Sequence, residues 1–261
     1  MRKPSRLDYA YSVGLVRALE SRLVSRPVFM EAAEEEDFPS ALKVIFDAGH
    51  FRDTMLEIRD SEQLDEFLES EELDLGRLMS EILLEKEVGQ LVAQENVPGK
   101  MLPLSEELDY PFFTNYFRHR IDLGNLKIFC RIKYQELPVE KIEVMLIKGG
   151  FLEAGFFIES FDLSFGDVGD RLKASSYRLI WTQATDELME RETFIVLERE
   201  FENFLMAYLK KAKYIVFGPE PVFGYILGKK KELQLIRLLG VGKLNQVPAG
   251  ILKERISDTY V

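Results

Sequence analysis

The chain has 261 residues, 46% of them hydrophobic and 30% charged, a formal net charge of −11 and a single cysteine, Cys130. That length can bury a sizeable core, and the balance excludes a wholly disordered, collagenous or disulfide-stapled chain. One cysteine supplies neither an internal disulfide nor a metal-ligand pair, which fits a reducing, cytoplasmic compartment.

The charge is uneven. Residues 1–110 carry 12 Lys+Arg against 25 Asp+Glu, whereas residues 111–261 carry 22 against 20. Such an acidic front half repels nucleic-acid backbones and anionic lipid surfaces alike, and solubility is its ordinary explanation. The longest predominantly apolar stretch, Tyr214 to Leu227, is broken by Gly218, Pro219, Glu220 and Pro221. It falls short of the ~20 apolar residues of a membrane span. The charged opening MRKPSRLDYAYS has no signal-peptide apolar core.

Apolar residues at helical spacing, Tyr9, Val13, Val16, Leu19 and Leu23, predict a helix over about 8–25 with Asp8 as its N-cap. Pro27 permits a new helix start, and Asp37 caps a helix carrying Leu42, Ile45 and Phe46 that Gly49 stops. Between Asp60 and Asp74 eight of fifteen residues are acidic, yet Leu64, Phe67, Leu68 and Leu73 keep a helical stripe, so a solvated helix pair is expected. Pro98, Gly99, Pro103 and Pro111 mark 94–111 as a linker. Helices follow over 112–134 and 139–147, then the breaker Gly149–Gly150. Strand alternation is scarce, and its least unlikely candidate, Ala154 to Phe165, is interrupted by Glu159 and Asp162. Leu197, Phe201, Phe204, Leu205, Tyr208, Leu209 and Ala212 make the cleanest amphipathic helix. Beyond Gly218, Pro219 and Pro221 a short helix containing Tyr225 is expected, then a separate run from Leu233.

A shift of 110 residues reveals a weak internal repeat. It brings Asp122 onto Glu232, Leu126 onto Ile236, Lys127 onto Arg237, Lys133 onto Lys243 and Pro138 onto Pro248. Each copy is a helix with an early acid and late bases, a short turn and a second helix. Acid early and base late suit the helix dipole, a sufficient structural cause for the pattern.

Three ordered blocks then carry a resemblance. DYAYSVGLVRALESRLVSRPVFMEAAEEEDFPSAL, RIDLGNLKIFCRIK with LIKGG, and GYILGKKKELQLIRLLGVGKLNQVPAGILKERI resemble the C subunit of archaeal-type and vacuolar-type rotary ATPases, the d subunit of the vacuolar enzymes. Asp8, Tyr9 and Tyr11 match its opening aromatic motif. Asp122, Asn125, Leu126, Lys127 and Arg131 match its middle repeat, with Gly149 and Gly150 after it, and Tyr225, Glu232, Arg237 and Lys243 match its last repeat.

The resemblance implies an all-α fold, repeated helical bundles in a funnel-like array. Family members are generally longer, and the acidic stretch from Asp60 to Glu87 stands where a first repeat would be, so the array is incomplete. The expected organisation is an acidic helical region over 1–110 and two related repeats over 111–261, at about 111–165 and 194–261. The implied role is a non-catalytic central-stalk socket between the rotating shaft and the membrane proteolipid ring, cytoplasmic and peripheral to the membrane through the complex. A free-standing helical interaction or assembly protein derived from that family is the alternative.

Catalytic and ligand-binding patterns are missing from the sequence. His50 and His119 have neither a nucleophile nor metal-ligand spacing beside them. The acids Glu34, Glu35, Glu36 and Asp37 lack the glycine and alternating ligands of a calcium loop. GYILGKKK has glycines and lysines at the wrong spacing for a phosphate loop and no Ser or Thr after them. No cofactor and no metal are expected. Titration of the chain with ATP in a calorimeter is therefore expected to show no binding, and a saturable micromolar site would overturn this reading.

Overall fold

The computed structural model describes residues 4–261; residues 1–3 of the charged opening lie outside the described residues. Among the described residues the regular structure is helical, with no strand: α1 (Ala10–Glu20), α2 (Arg26–Ala32), α3 (Phe38–Ala48), α4 (Ser61–Ile82), α5 (Lys86–Ala93), α6 (Pro98–Glu107), α7 (Pro111–Tyr134), α8 (Glu140–Met145), α9 (Ala154–Glu159), α10 (Phe165–Arg171), α11 (Arg178–Arg191), α12 (Ile195–Lys210), α13 (Glu220–Leu244) and α14 (Ala249–Arg255). The fold is all-α.

Several helix ends obey local chemistry. Asp37 caps α3, its carboxylate accepting from Ser40 N at 2.8 Å, and Asp60 caps α4 through Gln63 N at 2.9 Å. Others depart from the sequence expectation. Asp8 lies inside a short 3-10 turn (Arg6–Tyr9) and accepts from Ser5 N, so Tyr9 stands at the N-cap of α1 instead. The expected linker over 94–111 is largely helix: Pro98 and Pro111 occupy the first positions of α6 and α7, where a missing N–H costs nothing. The expected acidic helix pair is one helix, α4, with Leu64, Phe67 and Leu68 buried but Leu73 64% exposed. The strand candidate over 154–165 is α9 and the start of α10.

The largest correction concerns α13. The expected break after Tyr225 is absent, and a single 25-residue helix runs from Glu220 to Leu244. Its first nine residues, Glu220 to Gly228, are all buried. Gly224 and Gly228 serve packing rather than termination. A methyl group at Gly224 would lie 2.7 Å from the Tyr260 hydroxyl, and one at Gly228 2.5 Å from Tyr260 Cβ. Glycine lets the segment around Tyr260 lie directly on the helix.

The chain divides into two compact units, one formed by residues 1–92 with 206–261, the other by residues 93–205. The core of the first gathers Phe29, Leu42, Ile45, Leu64, Leu68 and Ile236; that of the second gathers Leu126, Phe129, Phe157, Trp181, Leu197 and Phe201. Each unit is built around a helical hairpin, α13–α14 in the first and α7–α8 in the second.

The hairpins repeat in detail. Leu137 N donates to Ile132 O at 3.0 Å and Val247 N to Gly242 O at 2.9 Å; Glu136 N donates to Lys133 O and Gln246 N to Lys243 O. Both turns are thus Schellman motifs, with left-handed Glu136 (φ 51) and Gln246 (φ 56) ending the long helix. The pattern of buried and exposed residues over 131–142 is the same as over 241–252. Leu126 and Ile236 both have no exposed surface. Leu126→Ala is expected to cost about 2–5 kcal/mol in urea unfolding, through lost transfer energy plus a cavity. A loss below ~0.5 kcal/mol, the range of surface changes, would place Leu126 outside the core.

Candidate functional site

Each hairpin carries a buried acid on its long helix, and each acid seizes backbone from another segment. Asp122 has no exposed surface and accepts from Phe151 N at 2.9 Å, Leu152 N at 3.0 Å and the Tyr177 hydroxyl at 2.8 Å. Glu232, 1% exposed, accepts from Val24 N at 2.5 Å and from Lys229 Nζ. A buried carboxylate without such donors would be strongly destabilising. Gly150 makes the first grip possible, since a Cβ there would fall 2.0 Å from Asp122 Oδ1. Its neighbour Gly149 has φ 101, the left-handed backbone that glycine tolerates.

A lysine in the last turn of each long helix grips the same companion segment. Lys133 Nζ donates to Phe161 O at 2.6 Å, and Lys243 Nζ to Ala33 O at 2.9 Å and to Glu35 O. The companions match one another as well. A shift of 128 residues carries Phe29 onto Phe157, both fully buried, and Ala33 onto Phe161, the two carbonyls held by the lysines. The next helices, α3 and α10, both begin with phenylalanine behind a side-chain cap, Asp37 and Ser164. In the second unit the companion follows its hairpin in the chain. In the first unit it comes from the opposite end of the sequence.

The remaining repeat residues form a third matched feature. Glu198 of α12 lies 2.5 Å from Arg131 and 3.8 Å from Lys127, while Asp65 of α4 lies 2.6 Å from Arg237. Beside these acids, Leu197 and Leu64 enter the two cores. Asn125 bridges the backbone of Ile147, donating to its carbonyl at 2.8 Å and accepting from its N–H at 2.9 Å. Its counterpart under the repeat is Leu235, so this bridge belongs to one copy. Tyr225 is buried in α13, and burial pushes its phenol above the ordinary range. Tyr9 is buried with its hydroxyl on Glu85 at 3.1 Å, whereas Tyr11 is 77% exposed. Sequence patterns therefore brought together Asp122 with Gly150 and the acid, base and leucine positions of each hairpin, while Asp8 and Tyr11 stand apart from these grips.

Several participants carried no local signal. Tyr177 donates to Asp122 from 55 residues away, and its hydroxyl lies 2.7 Å from His119 Nδ1. Since that hydroxyl proton goes to Asp122, His119 donates from Nδ1 and completes a chain that leads from the core to a half-buried imidazole. Val24 and Lys229 were equally invisible, although the short Lys229–Glu232 spacing suits one helical turn. This arrangement holds helices in register; it lines up no nucleophile with a base. Among the described residues no group of three His, Cys, Asp or Glu side chains is placed to hold a metal ion. None of the described helices is long and apolar enough to cross a membrane.

Burial raises the Asp122 carboxyl above its ordinary range, against the pull of its two amide donors and Tyr177. Asp122→Asn removes a charged acceptor from three donors, and the variant is expected to lose about 1–3 kcal/mol. Because the folded pKa is raised, the stability that this group confers is complete below its unfolded value of about 3.9 and declines as pH rises through the folded value. The wild-type advantage over Asp122→Asn should therefore narrow from pH 4 upward in urea titrations. An advantage that widens would show the amide donors overcoming burial.

The hairpins and their grips lie mostly within residues 99–255, which match the family model described as ATP synthase (C/AC39) subunit. Similar proteins include the C subunit of the V-type sodium ATPase of Enterococcus hirae, 24% identical over 157 residues, 60% of this chain and 47% of that protein. The C subunit of the A-type ATP synthase of Archaeoglobus fulgidus is 25% identical over 138 residues, 52% of this chain and 39% of that protein. That of Methanothermobacter thermautotrophicus is 24% identical over 183 residues, 61% and 47% respectively. The matched stretch thus spans less than half the length of these relatives. The family model covers both hairpins and more than half of the sequence, and the chain belongs to the C/AC39 subunit family of V-type and A-type ATPases.

Proposed function

We propose that this chain is a non-catalytic coupling element of a rotary ATPase, a socket that joins the rotating shaft to the membrane proteolipid ring. The observation that carries the reading is the family match across both acid-anchored hairpins. A body that passes torque must resist shear between its helices. Close-packed interiors transmit strain, and buried carboxylates bonded to backbone amides add direction to that packing. Both long helices are held at mid-length by an acid and near the C-terminal end by a lysine. ATP chemistry falls to other subunits, and the chain acts in the cytoplasm, at the membrane through its partners.

A second reading, a free helical interaction or assembly protein derived from this family, is favoured by the matched stretch covering less than half of each relative. Reconstitution separates the two. Shaft and ring subunits purified separately should join in electron micrographs only when this chain is added, and association should slow as salt rises if charge steers the encounter. If shaft and ring join equally well without the chain, and neither retains it in a pull-down, the socket reading fails and the assembly-protein reading replaces it.

A further inference from the structure

The open side of the α13–α14 hairpin holds a groove of about 620 Å³ whose floor includes Leu238, Val241, Val247 and Ile251, with Arg237 and Arg255 at its edges. Val241 and Ile251 are 40% and 43% exposed. The matching hairpin carries charged side chains at those two positions. The repeat places Arg131 where Val241 stands and Lys141 where Ile251 stands, and both are exposed too. The two hairpins have the same backbone and the same exposure there, yet one copy presents charges and the other aliphatic side chains. An apolar pair at positions that its own twin fills with cations is a surface suited to being covered.

The covering chemistry is also indicated by the hairpins themselves. In each, a base on the long helix holds an acid from another helix whose adjacent leucine enters the core: Glu198 beside Leu197, and Asp65 beside Leu64. Arg237 and Arg255 both stand at the end of the groove remote from the 245–248 turn, and among the described residues Arg255 has no ion-pair partner. An apolar floor with an unpaired arginine, Arg255, at one end complements an apolar stripe that ends in a carboxylate. We infer that the α13–α14 groove is a docking site for an amphipathic α-helix of a partner protein, its apolar stripe on Val241 and Ile251 and an acidic residue on Arg255. The mode is helix-in-groove recognition. The inference does not rest on the rotor reading, and the binding measured below can succeed where rotor reconstitution fails.

The test uses the full chain and two fluorescein-labelled helical peptides, each with a leucine stripe, one with glutamates at one end of the stripe and the other with lysines there. Anisotropy should show saturable binding of the glutamate peptide and little of the lysine peptide. Val241→Asp with Ile251→Asp should weaken it at least about tenfold, ~1.4 kcal/mol. Both positions are partly solvent-exposed, and unchanged thermal unfolding would establish that the variant folds. Arg255→Glu should weaken the glutamate peptide and favour the lysine peptide. Hydrogen exchange should slow over 234–255 on binding. The inference is overturned by absent saturable binding, by affinity indifferent to these substitutions, or by protection elsewhere. It is likewise overturned if sedimentation reveals a dimer that the double variant disperses, since a second copy would then be the occupant.

Discussion

A buried carboxylate that holds backbone N–H groups of another segment is the constraint on which both halves of this molecule depend. Asp122 and Glu232 lie at matching places on two long helices, and neither can sit in an apolar core without donors. The demand runs both ways, because Phe151, Leu152 and Val24 would leave N–H groups without partners if the acids moved. One exchange therefore sets where a long helix lies against its companion and leaves few alternatives. Lys133 and Lys243 repeat the arrangement in the last helical turn with carbonyl acceptors. Apolar burial supplies most of the cohesion, but it has no direction. The polar grips supply the register.

This division of labour explains why the two copies diverge so far in sequence while keeping one geometry. Leucine can replace Asn125, and aliphatic side chains can replace surface cations, without moving the backbone. What persists is an acid midway along the long helix, a lysine near its end, a left-handed residue after it and a proline beyond. Glu136 and Gln246 adopt that left-handed conformation without being glycine, so the strain is compensated by the paired Schellman hydrogen bonds and the packing beneath them.

Much of this was legible in the sequence, and the failures have identifiable causes. Asp37 and Gly49 act through their immediate neighbours, so they marked helix ends correctly. The repeat was readable because a fixed shift keeps charge, apolar and proline positions together. The close-approach role of Gly224 and Gly228 was unreadable because only Tyr260, more than thirty residues on, reveals it. Pro98, Gly99 and Pro103 suggested a linker because a cluster of breakers looks the same when its first member opens a helix. Leu73 followed the stripe of α4 yet faces solvent, since a pattern does not say where a neighbour stops. The partners of Asp122 and Glu232 were unreadable for a plainer reason. Tyr177 and Val24 contribute through tertiary placement alone, and the Val24 amide has no side-chain signal at all.

The placement of the two companions also dictates the order in which the chain can organise itself. In the 93–205 unit, Asp122 meets its amide donors about thirty residues later, and that unit can close as soon as its own stretch has emerged from the ribosome. Glu232 meets Val24 across 208 residues. Helix α2 can pack on its neighbour α3 early, but the core that the two share with α13, and the Val24 grip, must wait for α13. Closing so long a loop costs little more at equilibrium than closing a moderate one, because the entropy grows only logarithmically. The delay is a matter of time, and during it the front of the chain carries uncovered aromatic surface. The dense negative charge of residues 1–110, which looked like an aid to solubility in the finished molecule, has its greatest value in that interval: it keeps nascent chains apart until the segment that completes their first unit has been made.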